Sequence, residues 1–66
     1  MSVKNNLKEI RMKEYGMERK EFAEFLNVNL KTYYGWESGE RVPPLEKCLE
    51  VSNILNKSVN EVWYIK

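Results

Sequence analysis

The chain has 66 residues, which is enough for one domain with a small core, so residues 1–66 are predicted to form a single domain. Eleven basic and ten acidic side chains nearly cancel, so a nucleic-acid surface would have to arise from where the charges lie. One cysteine and no histidine exclude an internal disulfide and a zinc site of nitrogen and sulfur ligands, and we expect no metal or cofactor.

Apolar residues are spread along the whole chain. No stretch approaches the roughly 20 apolar residues that cross a bilayer, and the start MSVKNNLKEI lacks the apolar centre of a secretion signal. A lone thiol suits a reducing compartment, so we expect a cytoplasmic protein without membrane contact. Without histidine or a phosphate-cradling glycine loop, we expect neither an enzyme nor a small-molecule ligand.

The first predicted helix covers about residues 6–15. Asn6 and Glu9 have the spacing of a capping box, and Gly16 follows as a stop signal. Its buried face is predicted to carry Leu7, Ile10 and Tyr15.

Two further helices are predicted on either side of a very short connection. They cover about residues 18–26 and 29–38, with Asn29 as the N-cap of the later one. Only Asn27 and Val28 separate them, so they must cross steeply, and Asn27 suits the left-handed conformation of such a turn. The apolar side chains expected in a shared core are Phe22, Leu26, Val28, Tyr33 and Trp36.

The last third of the chain predicts a fourth and a fifth helix, which completes an all-α fold. The fourth opens at Pro44, where a missing N–H costs nothing, and the fifth covers about residues 58–64, with Ser58 and Glu61 as a capping box. The buried side of the fourth is predicted to carry Leu45, Cys48, Leu49, Ser52 and Leu55. No segment alternates with period two for long enough to demand a sheet.

The stretch RKEFAEFLNVNLKTYYGWES, residues 19–38, resembles the helix-turn-helix of the phage repressor and Cro family, also called Xre-like. Counted from Arg19, it has apolar residues at positions four, eight, ten, fifteen and eighteen, and alanine at position five. The following WESGERVPPLEKCLEVSNILNKSVNEVW is similar to the family's downstream signature. The resemblance implies a five-helix lambda-repressor-like fold that binds double-stranded DNA, with the second helix of the pair in the major groove.

The resemblance also implies roles for individual residues. Arg19 stands where the family anchors to a phosphate, and we expect Asn29, Ser38 and Arg41 beside the backbone as well. Gly35 can read nothing itself and is expected to let DNA or Tyr34 approach closely. Base reading falls on the outward residues of the later helix, which are Leu30, Lys31, Thr32, Tyr34 and Gly35.

A structural ion pair is predicted between Arg11 and Glu37. The family commonly joins an arginine of its first helix to the glutamate after its third, and an inward arginine needs a partner. Arg11 lies one residue further from the second helix than is typical. Either the connection between the first and second helices is longer than is typical, or the arginine–glutamate pairing differs from that of the family.

The apolar end of the chain predicts a symmetric dimer contact through Trp63, Tyr64 and Ile65. Such a dimer would set two reading helices about one DNA turn apart on a palindromic site. We therefore predict a dimeric repressor of a bacterial or phage operator. The weak basic balance and an outward Phe25 keep an alternative open, in which the same scaffold is a protein-interaction module such as an antitoxin-like or regulator-binding partner.

Overall fold

The computed structural model describes residues 2–66, and Met1, which the single-domain prediction includes, lies outside the described residues. In that range the predicted five-helix fold is confirmed, with a small two-stranded sheet in addition. The first helix, α1, begins as an α-helix at Leu7–Glu9 and continues as a π-helix at Ile10–Tyr15. The other elements are β1 (Val3–Asn5), α2 (Arg19–Phe25), α3 (Leu30–Ser38), α4 (Leu45–Ile54), α5 (Val59–Val62) and β2 (Trp63–Ile65).

The turn between α2 and α3 has the left-handed residue that the sequence predicts. Asn27 adopts the left-handed conformation with φ 62°, and the Val28 N–H donates to the Ala23 carbonyl at 2.9 Å. Tyr33 and Trp36 of α3 are buried in the core, which confirms the predicted inward side of that helix. The fully buried large side chains are Leu7, Phe22, Leu26, Tyr33, Val51 and Val62.

The predicted buried side of α4 is partly wrong. Leu45 and Leu49 are 70% and 52% exposed, whereas Val51 is buried. The buried residues follow an i, i+3, i+4, i+7 pattern, which defines one helical stripe, and a stripe through the two leucines lies to one side of it. The core stripe consists of Cys48, Val51, Ser52 and Leu55.

A sheet joins the two ends of the described chain and corrects the expectation of helices alone. Strands β1 and β2 pair antiparallel, with Val3 opposite Ile65 and Asn5 opposite Trp63. The predicted fifth helix therefore stops at Val62 and does not reach residue 64. Neither three-residue strand is long enough to produce a recognisable alternation.

The cap of α1 also differs from the prediction. The Leu7 N–H donates to Oδ1 of Asn5 at 3.0 Å, while the Asn6 side chain donates instead to the Glu61 carbonyl at 3.0 Å. The predicted capping box of α5 is confirmed, because the Ser58 N–H donates to Oε1 of Glu61 at 2.8 Å.

Candidate nucleic-acid interface

An open concave face runs along the outer side of α3 and continues onto α1, the start of α2, the loop after α3 and the start of α4. All the residues predicted to contact DNA line it, except Leu30. Leu30 is half-buried and packs against the core, which differs from its predicted role in base reading. The polar residues of the concave face are Lys8, Arg19, Asn27, Asn29, Lys31, Thr32, Tyr34, Glu37, Ser38, Glu40, Arg41 and Lys47.

Charge is distributed unevenly between this face and the rest of the surface. Five of the eleven basic side chains line the concave face, but only two of the ten acidic ones do, counted over residues 2–66. One of those two, Glu37, is paired with arginines. The nearly neutral chain thus presents one basic surface, and α3 lies within it.

The carboxylate of Glu37 joins three helices. Nη2 of Arg11 on α1 donates to its Oε1 at 2.9 Å, and Nε of Arg19 on α2 donates to its Oε2 at 3.0 Å. Arg11 and Glu37 are each only 7% exposed, so the pair that the sequence predicts lies almost out of solvent. The extra residue between Arg11 and α2 lies in the π-helical part of α1, since a π-turn holds one residue more than an α-turn.

Burial and charge change the titration of the groups around this carboxylate. Burial alone would lower the pKa of Arg11, but the hydrogen bond and the negative charge of Glu37 outweigh it and raise that pKa. Burial, and then the charge of Glu37, also raise the pKa of the Tyr33 phenol. The Tyr33 hydroxyl is buried and forms no hydrogen bond with any described residue.

Arg19 is held in place on two sides. Its Nε bonds Glu37, and its guanidinium carbon lies 5.7 Å from the centre of the Tyr34 ring, which gives a cation–π contact. The side chain remains half exposed, with both terminal nitrogens unused by the Glu37 bond. This arrangement can offer two N–H donors to a phosphate oxygen.

Two other polar residues on the concave face are occupied by local structure. Oδ1 of Asn29 accepts a hydrogen bond from the Thr32 N–H at 2.8 Å and caps α3. Oγ of Ser38 donates to the Gly35 carbonyl at 3.2 Å and accepts from the Glu40 N–H at 3.3 Å. Both side chains therefore stabilise the ends of α3 through these hydrogen bonds. The groups left to contact a ligand are the Asn29 amide nitrogen and the remaining lone pair of Ser38.

The space beside Gly35 is occupied by a side chain that the sequence does not suggest. A β-carbon built on Gly35 would lie 3.3 Å from Cδ and 3.5 Å from Cγ of Arg41. The side chain beside this glycine is thus the aliphatic part of Arg41 and not that of Tyr34, while the close approach of DNA stays a prediction.

The residues predicted at a dimer contact divide between core and surface. Trp63 is 6% exposed and belongs to the core of the single chain, so its indole is largely unavailable to a partner. Tyr64 and Ile65 lie on β2 with exposed side chains. Trp63 pairs with Asn5 in the sheet, which the sequence did not reveal.

Lys8 and Lys47 line the concave face, although the sequence reasoning missed them. Lys8 was detectable in principle, because it lies one turn before Arg11, whose contact with Glu37 was predicted. Lys47 lies in the first turn of α4, and no sequence signal connects it with α3. None of the helices in the described part of the chain has the length and hydrophobicity of a membrane span.

Comparison with known proteins agrees with this geometry. The sequence model of the helix-turn-helix family matches residues 7–62, which include all five helices. No curated protein sequence matches the chain. The matched family is one of regulators that bind double-stranded DNA and is generally non-enzymatic. By its sequence and its fold, this chain belongs to the helix-turn-helix family of Xre-like and Cro-repressor-like proteins.

Proposed function

We propose that this chain is a cytoplasmic repressor that binds a palindromic operator as a homodimer and blocks transcription by occupying the site. The observation that carries the proposal is the concentration of basic side chains around the exposed side of α3. An α-helix fits the major groove, and the flanking basic groups would neutralise phosphates on both sides of it.

Individual residues take separate roles in this proposal. Lys31, Thr32 and Tyr34 would meet base edges, since they lie on the outward side of α3. Arg19 would bind a phosphate through its terminal nitrogens, and Asn29 and Ser38 would add weaker polar contacts at the two ends of α3.

The test of DNA binding is retardation of a duplex selected from a random pool, measured over a series of salt concentrations. Affinity should fall steeply with salt, and Arg19→Ala and Lys31→Ala should weaken binding while flattening the salt dependence. Lys20→Ala is the matched control, because Lys20 is exposed on α2 but does not line the concave face. Equal effects of all three changes would refute the site, and absence of any duplex binding would favour a protein-interaction module.

Dimerisation is tested separately by sedimentation equilibrium at tens of micromolar. The wild type should have the mass of two chains, and Ile65→Ser should shift it towards one chain, because Ile65 exposes an apolar side chain on β2. Met12→Ser, at an exposed apolar position on α1, is the control and should leave the mass unchanged. A wild-type mass of one chain would remove the dimer from the proposal.

A further inference from the structure

Position 35 is a gap in the outward side of α3. Lys31, Thr32 and Tyr34 present functional groups there, and Gly35, about one turn after Lys31, presents none. A glycine inside a helix costs about 1 kcal/mol relative to alanine. Gly35 has no positive φ, so no turn geometry requires it. Its lack of a side chain is therefore explained by what occupies the space beside it.

The side chain of Arg41 occupies that space. Its Cβ, Cγ and Cδ atoms all lie within 3.7 Å of the place where a β-carbon of residue 35 would stand. The Arg41 N–H also donates to the Gly35 carbonyl at 3.0 Å, which fastens the loop to the helix at the same residue. A larger residue at position 35 would displace the methylene groups of Arg41 from α3.

The guanidinium of Arg41 is available to a ligand. Arg41 is exposed and lines the concave face, and its side chain forms no ion pair or hydrogen bond with the rest of residues 2–66. We infer that Arg41 reads a base in the major groove and supplies, above Gly35, the functional group that α3 lacks at that position. The inference rests on the proposed function and changes the role of Arg41 from the phosphate contact that the sequence suggests.

The position of the stem favours a base over a phosphate. Phosphates border the groove that a reading helix enters, whereas the middle of its outward side faces base edges. A loop arginine that contacted only a phosphate would not need a position without a side chain in the middle of α3. The commonest specific contact of arginine is a bidentate one to O6 and N7 of guanine, so the feature recognised is a guanine in each half of the site.

The experiment compares the selected duplex with a duplex in which the guanine whose loss most weakens wild-type binding is replaced by adenine. Affinities are measured by fluorescence anisotropy, and folding of each variant is checked by thermal melting. The wild type should prefer guanine by about tenfold to a hundredfold. Arg41→Ala should abolish this preference, and Gly35→Leu should abolish it with Arg41 still present. Lys47→Ala is the matched control and should weaken both duplexes by the same factor.

Each other outcome overturns the inference in a recognisable way. Equal weakening of both duplexes by Arg41→Ala would make Arg41 a phosphate contact and leave the proposed function intact. Full preference in a folded Gly35→Leu variant would show that the space above Gly35 does not position Arg41. A wild type that selects no duplex would overturn the proposed function together with this inference.

Discussion

The side-chain amide of Asn5 donates a hydrogen bond to the backbone carbonyl of Trp36 across 2.8 Å, which joins β1 to α3. The oxygen of the same amide accepts the Leu7 N–H at 3.0 Å, at the start of α1. One half-buried side chain thus satisfies backbone groups of two helices that are distant in sequence.

Replacing Asn5 by alanine should lower the free energy of unfolding by about 1–2 kcal/mol. The Leu7 N–H loses its partner and the Trp36 carbonyl keeps only the Gly39 N–H, and both lost bonds lie in partly buried places. Urea unfolding followed by circular dichroism measures the change. Asn53→Ala, at an exposed position of α4, should stay within about 0.5 kcal/mol of the wild type. Equal stability of the two variants would mean that the amide of Asn5 does not support α3.

Glu37→Gln should destabilise the fold on the order of 3 kcal/mol, because it leaves the nearly buried Arg11 without a counter-charge. Thermal melting and urea unfolding both measure it. The matched control is Glu40→Gln, which removes an exposed carboxylate from the same region and should change stability by less than about 0.5 kcal/mol. A Glu37→Gln variant as stable as this control would contradict the structural role of the ion pair.

Lys8→Ala and Lys47→Ala should each reduce the slope of log affinity against log salt by about one for each copy of the chain on the duplex. The reason is that each lysine lies on the concave face and would release one counterion from a phosphate. Lys13→Ala, on α1 but away from that face, should leave the slope unaltered. If Lys13→Ala had the larger effect, the DNA surface would have to be moved to the other side of α1.

Tyr33→Phe should make stability less sensitive to alkali. The raised pKa of the buried phenol means that the folded chain keeps a proton which the unfolded chain releases above about pH 10. Stability that is complete below that pH is therefore lost as pH rises, by on the order of 1 kcal/mol at pH 11. At pH 7 the variant should lie within about 1 kcal/mol of the wild type, since the hydroxyl has no partner among the described residues.

Urea unfolding at pH 8 and pH 11 tests this expectation. The wild type should lose more stability between the two values than Tyr33→Phe does. Tyr64→Phe, at an exposed position of β2, should keep the full wild-type loss. An unchanged alkaline loss in Tyr33→Phe would show that the phenol is not the responsible group.

The parts of the fold that depend on local signals were predictable. The bounds expected for α2 and α3 and the start expected for α4 lie within one or two residues of those observed, because caps, Gly39 and Pro44 mark them in the sequence. The inward side of α3 also followed from spacing, since Tyr33 and Trp36 lie three residues apart.

The parts that depend on contacts between distant residues were not predictable. Whether α4 buries Leu49 or Val51 is decided by which stripe meets the other helices, and both stripes are apolar. The position of Arg41 above Gly35 depends on the path of a loop, and the spacing of apolar residues in the sequence does not predict that path. Lys47 reaches the concave face for the same kind of reason.

The sheet between β1 and β2 has a consequence for the order in which the molecule assembles. It pairs Val3 with Ile65, so it closes a loop that contains all five helices, and two short strands alone are marginally stable in water. The ladder can therefore persist only after the helices have carried both ends to one place. Amide hydrogen exchange at Lys4 and Tyr64 would accordingly report on the cooperativity of the entire domain, and not on any local stability of the strands.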